Sequence, residues 1–71
     1  MIYQRIRDLR EDHDWTQTDV ARMINVTQTC YSKYELGQRE IPLAVLIKLA
    51  NIYNTSIDYL LGQTKNPERY K

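Results

Sequence analysis

Gln28, Thr29, Ser32 and Lys33 have the types and spacing to recognise a ligand by hydrogen bonding. On a helix begun at Gln28, at roughly 100° per residue, they fall in one polar arc of roughly 140°. Glutamine can bond adenine through N6 and N7, threonine can bond a base and meet a thymine methyl, and lysine can reach guanine O6 or N7. Tyr31 and Tyr34 point the other way, towards a core, with Cys30 on the margin. Gln17 and Thr27 sit at or next to expected helix N-termini, where free N–H groups and the helix dipole favour an anion. With Arg39, just past Gly37, they are candidates for phosphate contacts that set register without reading sequence. Any surface helix carries a polar face, however, so this arc acquires meaning only from the elements that hold it.

A helix-start signal occurs twice. In Trp15-Thr16-Gln17-Thr18-Asp19-Val20, Thr16 can cap a helix while Trp15 staples onto Val20, and Asp19 makes a near capping box. In Val26-Thr27-Gln28-Thr29-Cys30-Tyr31, Thr27 caps and Val26 staples onto Tyr31. Between them, Asn25 suits the left-handed C′ position that ends a helix near Ile24. The expected product is two short helices around a tight turn of Asn25, Val26 and Thr27, a helix-turn-helix over about residues 17–36.

Other segments also read as helix. Ile2, Ile6, Leu9 and His13 form one stripe from about Ile2 to Asp12. Ile41-Pro42 opens a fourth helix with Pro in its first turn; Leu43, Val45, Leu46, Leu49, Ala50 and Tyr53 cover most of its circumference, leaving Ala44, Lys48 and Asn51 polar. Asn54 ends that helix in the way Asn25 ends the second. Ser56 caps a last one carrying Ile57, Leu60 and Leu61, and Gly62 stops it. No alternating strand pattern is present, so the class is all-α, with residues 1–62 as the domain and 63–71 as a polar, frayed tail.

Bulk composition limits the alternatives. At 71 residues the core is modest, and one cysteine with one histidine rules out an internal disulfide and leaves no plausible metal set. No cofactor is expected. The lone thiol suits a reducing compartment. The polar N-terminus and the short apolar run at 41–50 argue against a signal peptide or membrane span, so the chain reads as soluble and intracellular. A net charge of +1 is not the strongly basic balance of many nucleic-acid binders, yet binding depends on a local face rather than the average field.

Thr16-Gln17-Thr18-Asp19-Val20-Ala21, Asn25-Val26-Thr27-Gln28-Thr29 and Tyr34-Glu35-Leu36-Gly37 together resemble the phage Cro/repressor type (XRE family) of helix-turn-helix. Arg39-Glu40-Ile41-Pro42 and Ser56-Ile57-Asp58-Tyr59-Leu60-Leu61-Gly62 continue the same pattern, so the resemblance spans roughly Ile6 to Gly62. It implies a compact five-helix bundle of the phage-repressor DNA-binding type and a transcriptional regulator of bacterial or phage origin. It also implies that Gln17 contacts phosphate, that Gln28, Thr29 and Lys33 are the principal base readers, and that Arg10 pairs with Glu35 in a partly buried salt bridge. The sequence departs from many members in having Asn25 where they have Gly. The acidic cluster Glu11, Asp12 and Asp14 is expected to face away from DNA.

The expected function is a sequence-specific regulator of double-stranded DNA, a repressor in sense. One short helix reads few base pairs, so a homodimer on a palindromic site is expected, with Ile57 and Tyr59 as a candidate dimer surface. No small-molecule ligand domain and no membrane partner are expected, unless the chain is a fragment. The localisation that follows is cytoplasmic and nucleoid-associated. The competing class is an antitoxin-like or antirepressor interaction module with weak DNA binding. An enzyme is disfavoured, because no carboxylate, Cys–His or Ser–His arrangement is placed by spacing. Cys30 as a redox sensor stands behind Cys30 as a small residue at a helix interface, and His13 reads as a surface or staple residue.

Overall fold

The computed structural model describes residues 3–63 and 65. Its described residues form five helices and no strand: α1 (Gln4–Asp12), α2 (Gln17–Met23), α3 (Gln28–Glu35), α4 (Leu43–Ile52) and α5 (Ile57–Leu60). The threonine and serine starts are realised in the backbone. Thr16 Oγ1 accepts from the Asp19 N–H at 3.1 Å while the Thr16 N–H donates to Asp19 Oδ2 at 2.9 Å, a complete capping box. Thr27 Oγ1 and Ser56 Oγ accept from the Cys30 and Tyr59 N–H groups, each at 3.1 Å.

All five described helices end alike. The residue after each C-cap has positive φ: Asp14 (56°), Asn25 (59°), Gly37 (72°), Asn54 (51°) and Gly62 (77°). At the end of α2 the Asn25 N–H bonds the Arg22 carbonyl at 3.2 Å and the Val26 N–H bonds the Ala21 carbonyl at 2.9 Å. That pair is the Schellman arrangement, and it recurs after the other four helices. It reverses the chain within two residues, which is what lets α3 start so soon after α2 stops.

A core of Ile6, Val20, Ile24, Tyr31, Leu49 and Leu60, all essentially without solvent exposure, draws on every helix and on the α2–α3 turn. Burying each aliphatic member contributes on the order of 1.5–3 kcal/mol. Within this packing α2 and α3 make the most extensive interhelical contact, so the two lie against one another as one unit.

Three expectations are corrected. Tyr3 is the N-cap of α1, so the helix begins at Gln4 and not near Ile2, which itself lies outside the described residues. Pro42 is the N-cap of α4 (φ −60°, ψ 150°), one position before the first turn: its extended ψ closes the preceding loop before the helix begins. Leu43 does not join the core; it is 65% exposed, and Ile47 one turn on is 47% exposed. The apolar circumference of α4 is therefore only partly covered. Most of the tail, residues 64 and 66–71, lies outside the described residues.

Candidate nucleic-acid interface

Helix α3 is held by its aromatic side. Tyr31 and Tyr34 are buried, while Gln28, Thr29 and Lys33 are exposed on the opposite side and Ser32 is half-buried beside Glu35. The amphipathic split thus turns three hydrogen-bonding side chains outward over about one and a half turns of helix, and the fourth lies at their edge.

Beneath that face runs a chain of polar contacts. Arg10 Nε donates to Glu35 Oε2 at 2.7 Å and Arg10 Nη2 donates to Glu35 Oε1 at 3.2 Å, while Nη1 donates to the Trp15 carbonyl at 3.0 Å. Glu35 Oε1 also accepts from Gln17 Nε2 at 3.3 Å, and Gln17 Oε1 accepts from Gln28 Nε2 at 2.7 Å. The first residue of α2 is therefore bonded to the first residue of α3, and through Glu35 to α1.

The charges in this chain are set by burial and pairing. The Arg10 and Glu35 side chains are only 13% and 4% exposed. Burial pushes the Glu35 carboxyl up, but contacts from Arg10, Tyr31 and Gln17 outweigh it and hold the group below the usual glutamate range. Glu35 is thus ionised at neutral pH, and its hydrogen bond raises the Arg10 guanidinium further. Burial likewise raises the neighbouring Tyr31 hydroxyl, and pushes Tyr53 up to about 12. The Tyr31 and Tyr53 hydroxyls are buried without a well-formed hydrogen bond.

A helix-turn-helix family model matches residues 6–60, which contain all five helices except the first two residues of α1. The chain belongs to the XRE-type helix-turn-helix family. It is 38% identical over 96% of its length to the uncharacterized HTH-type transcriptional regulator YobD of Bacillus subtilis, of which it covers 61%. It is 35% identical over 92% of its length to the cryptic phage CTXphi transcriptional repressor RstR of Vibrio cholerae, covering 59% of that protein. It is also 29% identical over 92% of its length to antitoxin PezA of Streptococcus pneumoniae, covering 41%. The chain therefore spans about three fifths or less of the length of these relatives. No solved structure matches it.

In this helix-turn-helix, α2 is the first helix and α3 the exposed second one. The remaining candidate residues take varied positions. Thr27 is exposed, with its hydroxyl oxygen engaged as the α3 cap. Arg39 is exposed on the loop after α3 and donates from Nη1 to Cys30 Sγ at 3.7 Å. Cys30 is half-buried and also raises the Tyr34 hydroxyl by hydrogen bonding, so the thiol belongs to the packing of α3 on this loop. Ile57 and Tyr59 lie in different surroundings. Ile57 lines a shallow groove with Ile47, Ala50 and Asn51, whereas the Tyr59 ring lies beneath the Arg5 guanidinium, 4.3 Å from its centroid. His13 is exposed at the C-cap of α1; its ring stacks on Trp15 (4.5 Å between centroids) and approaches Tyr53 (5.4 Å).

Sequence reasoning missed the Gln17–Gln28 contact and the bond from Gln17 to Glu35. A signal existed, since both glutamines follow a threonine cap and so occupy the first position of adjacent helices. It also missed Ile47 and the left-handed Asp14. Among the described residues, no cluster of three or more metal-ligating side chains occurs, and no helix is long and apolar enough to cross a membrane.

Proposed function

We propose that this chain is a sequence-specific double-stranded DNA-binding transcriptional repressor that acts as a homodimer on a palindromic operator. The observation that carries the reading is the outward polar face of α3, begun by a Gln28 whose amide is already fixed by Gln17. Gln28, Thr29, Ser32 and Lys33 read base edges in the major groove, while Gln17, Thr27 and Arg39 hold the phosphate backbone. Residues 1–62 act as the DNA-binding domain, with 63–71 as a polar tail. A net charge of +1 is compatible with this role because the cations needed are local ones, Lys33 and Arg39 among them. Kinship with a protein named as a phage transcriptional repressor supports the direction of regulation. The role implies a cytoplasmic, nucleoid-associated protein without catalytic activity.

The test is selection of bound duplexes from a random pool, with affinity then measured at two salt concentrations. A palindromic motif with half-sites about 10 base pairs apart, and affinity falling steeply with salt, is the expected outcome. Weak binding that ignores sequence refutes the proposal.

A second reading has its own support in the similarity to a protein named as an antitoxin. There the fold is a protein-interaction module with weak DNA binding. Gln28→Ala and Lys33→Ala separate the two, since they weaken DNA binding but spare a protein partner bound elsewhere.

A further inference from the structure

We infer that α5 is a separately opening element latched to α1 by Arg5, and that this latch decides whether the groove beside Ile47 keeps its second wall. It holds for the free chain, whatever α3 reads.

A very short helix does not hold itself up, since isolated helices below about 12–15 residues are marginal in water. α5 spans only Ile57–Leu60, and of these four residues Leu60 alone is buried. Its support must come from its ends and its neighbours. At the start, Ser56 Oγ accepts from the Tyr59 N–H at 3.1 Å. At the finish, the Gly62 and Gln63 N–H groups bond the Tyr59 and Asp58 carbonyls at 3.1 and 2.8 Å. These bonds shape the turn but lie within it, and tie it to no other element.

Arg5 supplies the tie. Its Nη1 donates to the Tyr59 carbonyl at 3.3 Å, and its guanidinium carbon lies 4.3 Å from the centroid of the Tyr59 ring. One side chain thus grips both the backbone and the ring of a residue 54 positions away, by a charge-assisted hydrogen bond and a cation–π contact. The foot of the latch is fixed. Arg5 lies in the first turn of α1, next to Ile6, which has no solvent exposure.

The surroundings make the opening local. α5 packs mainly on α4 and α1, whereas α2 and α3 pack mainly on one another. Release of α5 therefore leaves the helix-turn-helix standing. The groove beside Ile47 takes Ala50 and Asn51 from α4 but Ile57 and Asp58 from α5, so an opened α5 removes one of its walls. The apolar surface on this side is remodelled while the outward face of α3 stays as it is.

The test is amide hydrogen exchange of the full chain, followed by NMR at a series of low urea concentrations. The reporters are the Leu60, Leu61, Gly62 and Gln63 amides, each bonded within the α5 turn. The references are the Val20, Ile24 and Tyr31 amides of the helix-turn-helix. In the parent the reporters should be less protected than the references, and their exchange should depend less on urea, as a local opening requires. Equal protection and equal urea dependence for the two sets would overturn α5 as a separate unit. Arg5→Met should then speed reporter exchange by about tenfold or more, and unchanged reporter protection would overturn Arg5 as the latch. Tyr59→Leu removes the ring but leaves the carbonyl, and should speed the reporters by about threefold. If Arg5→Met folds poorly, Tyr59→Leu decides, and reporter exchange at the parent rate in that variant would overturn the latch.

Discussion

Arg10→Met is the substitution that probes the interior most sharply. It removes both hydrogen bonds to Glu35 and the one to the Trp15 carbonyl, while methionine retains much of the apolar stem. Glu35, with its side chain 4% exposed, would be left as a buried charge facing no cation. Breaking such a pair from one side costs about 3–5 kcal/mol. At about 0.05–0.15 kcal/mol per residue, the 71-residue chain has only about 4–11 kcal/mol in total. The variant should therefore lose a large part of its stability and melt well over about 10 °C lower.

The pH dependence gives the same reasoning a sign. In the parent the folded Glu35 pKa is depressed, so its contribution is present above the unfolded value and is lost as pH falls through the folded one. In Arg10→Met burial prevails and the folded pKa is raised. The penalty is then present above that raised value and vanishes as pH falls below the unfolded one. The gap between parent and variant should shrink steadily from pH 7 towards pH 4. Urea melts at a series of pH values measure it, with Arg10→Met/Glu35→Leu recovering most of the loss at pH 7. A deficit under about 1 kcal/mol, the same at every pH, would refute the idea that this pair is a buried, mutually dependent unit.

Further outcomes are expected elsewhere. Asn25→Gly should be close to neutral, whereas Asn25→Val should cost about 1–2 kcal/mol, because φ at this turn is 59° and a β-branched residue resists it; thermal melts distinguish the two. Thr16→Ala and Thr27→Ala should each cost about 1 kcal/mol through the lost cap. In denaturant titrations, wild-type stability in either variant would show the cap to be dispensable. Ile57→Asp should give a monomer at micromolar concentration by sedimentation if the groove beside Ile47 joins two copies, and a persistent dimer would move the interface elsewhere.

The backbone plan was legible because its signals are local. A threonine three residues before the amide it caps, or an asparagine at the one left-handed position of a turn, is a property of a few adjacent residues. Asp14 escaped notice for the complementary reason: its left-handed conformation follows from where α1 stops, and aspartate at that position is a weaker signal than asparagine or glycine. The α4 surface was misread because periodicity shows which residues share a face but not whether a neighbour covers it. Leu43 and Val45 look alike in the sequence; only packing separates the exposed one from the buried one.

The polar chain under α3 needed more than local signals, since it joins residues 10, 17, 28 and 35 from three helices. Under the proposed role of α3, its existence bears on how so small a domain could present a defined surface to DNA. A side chain such as glutamine carries considerable rotamer freedom, and ordering it only on contact would subtract from affinity. Here the ordering is done at folding, by a carboxylate that also serves the core as the partner of Arg10. Under the proposed DNA-reading role of α3, stability and recognition would share Glu35. Substitutions that loosen the Arg10 pair should blur base preference as well as lower the melting temperature, and a variant that restores stability with an apolar pair should not restore that preference.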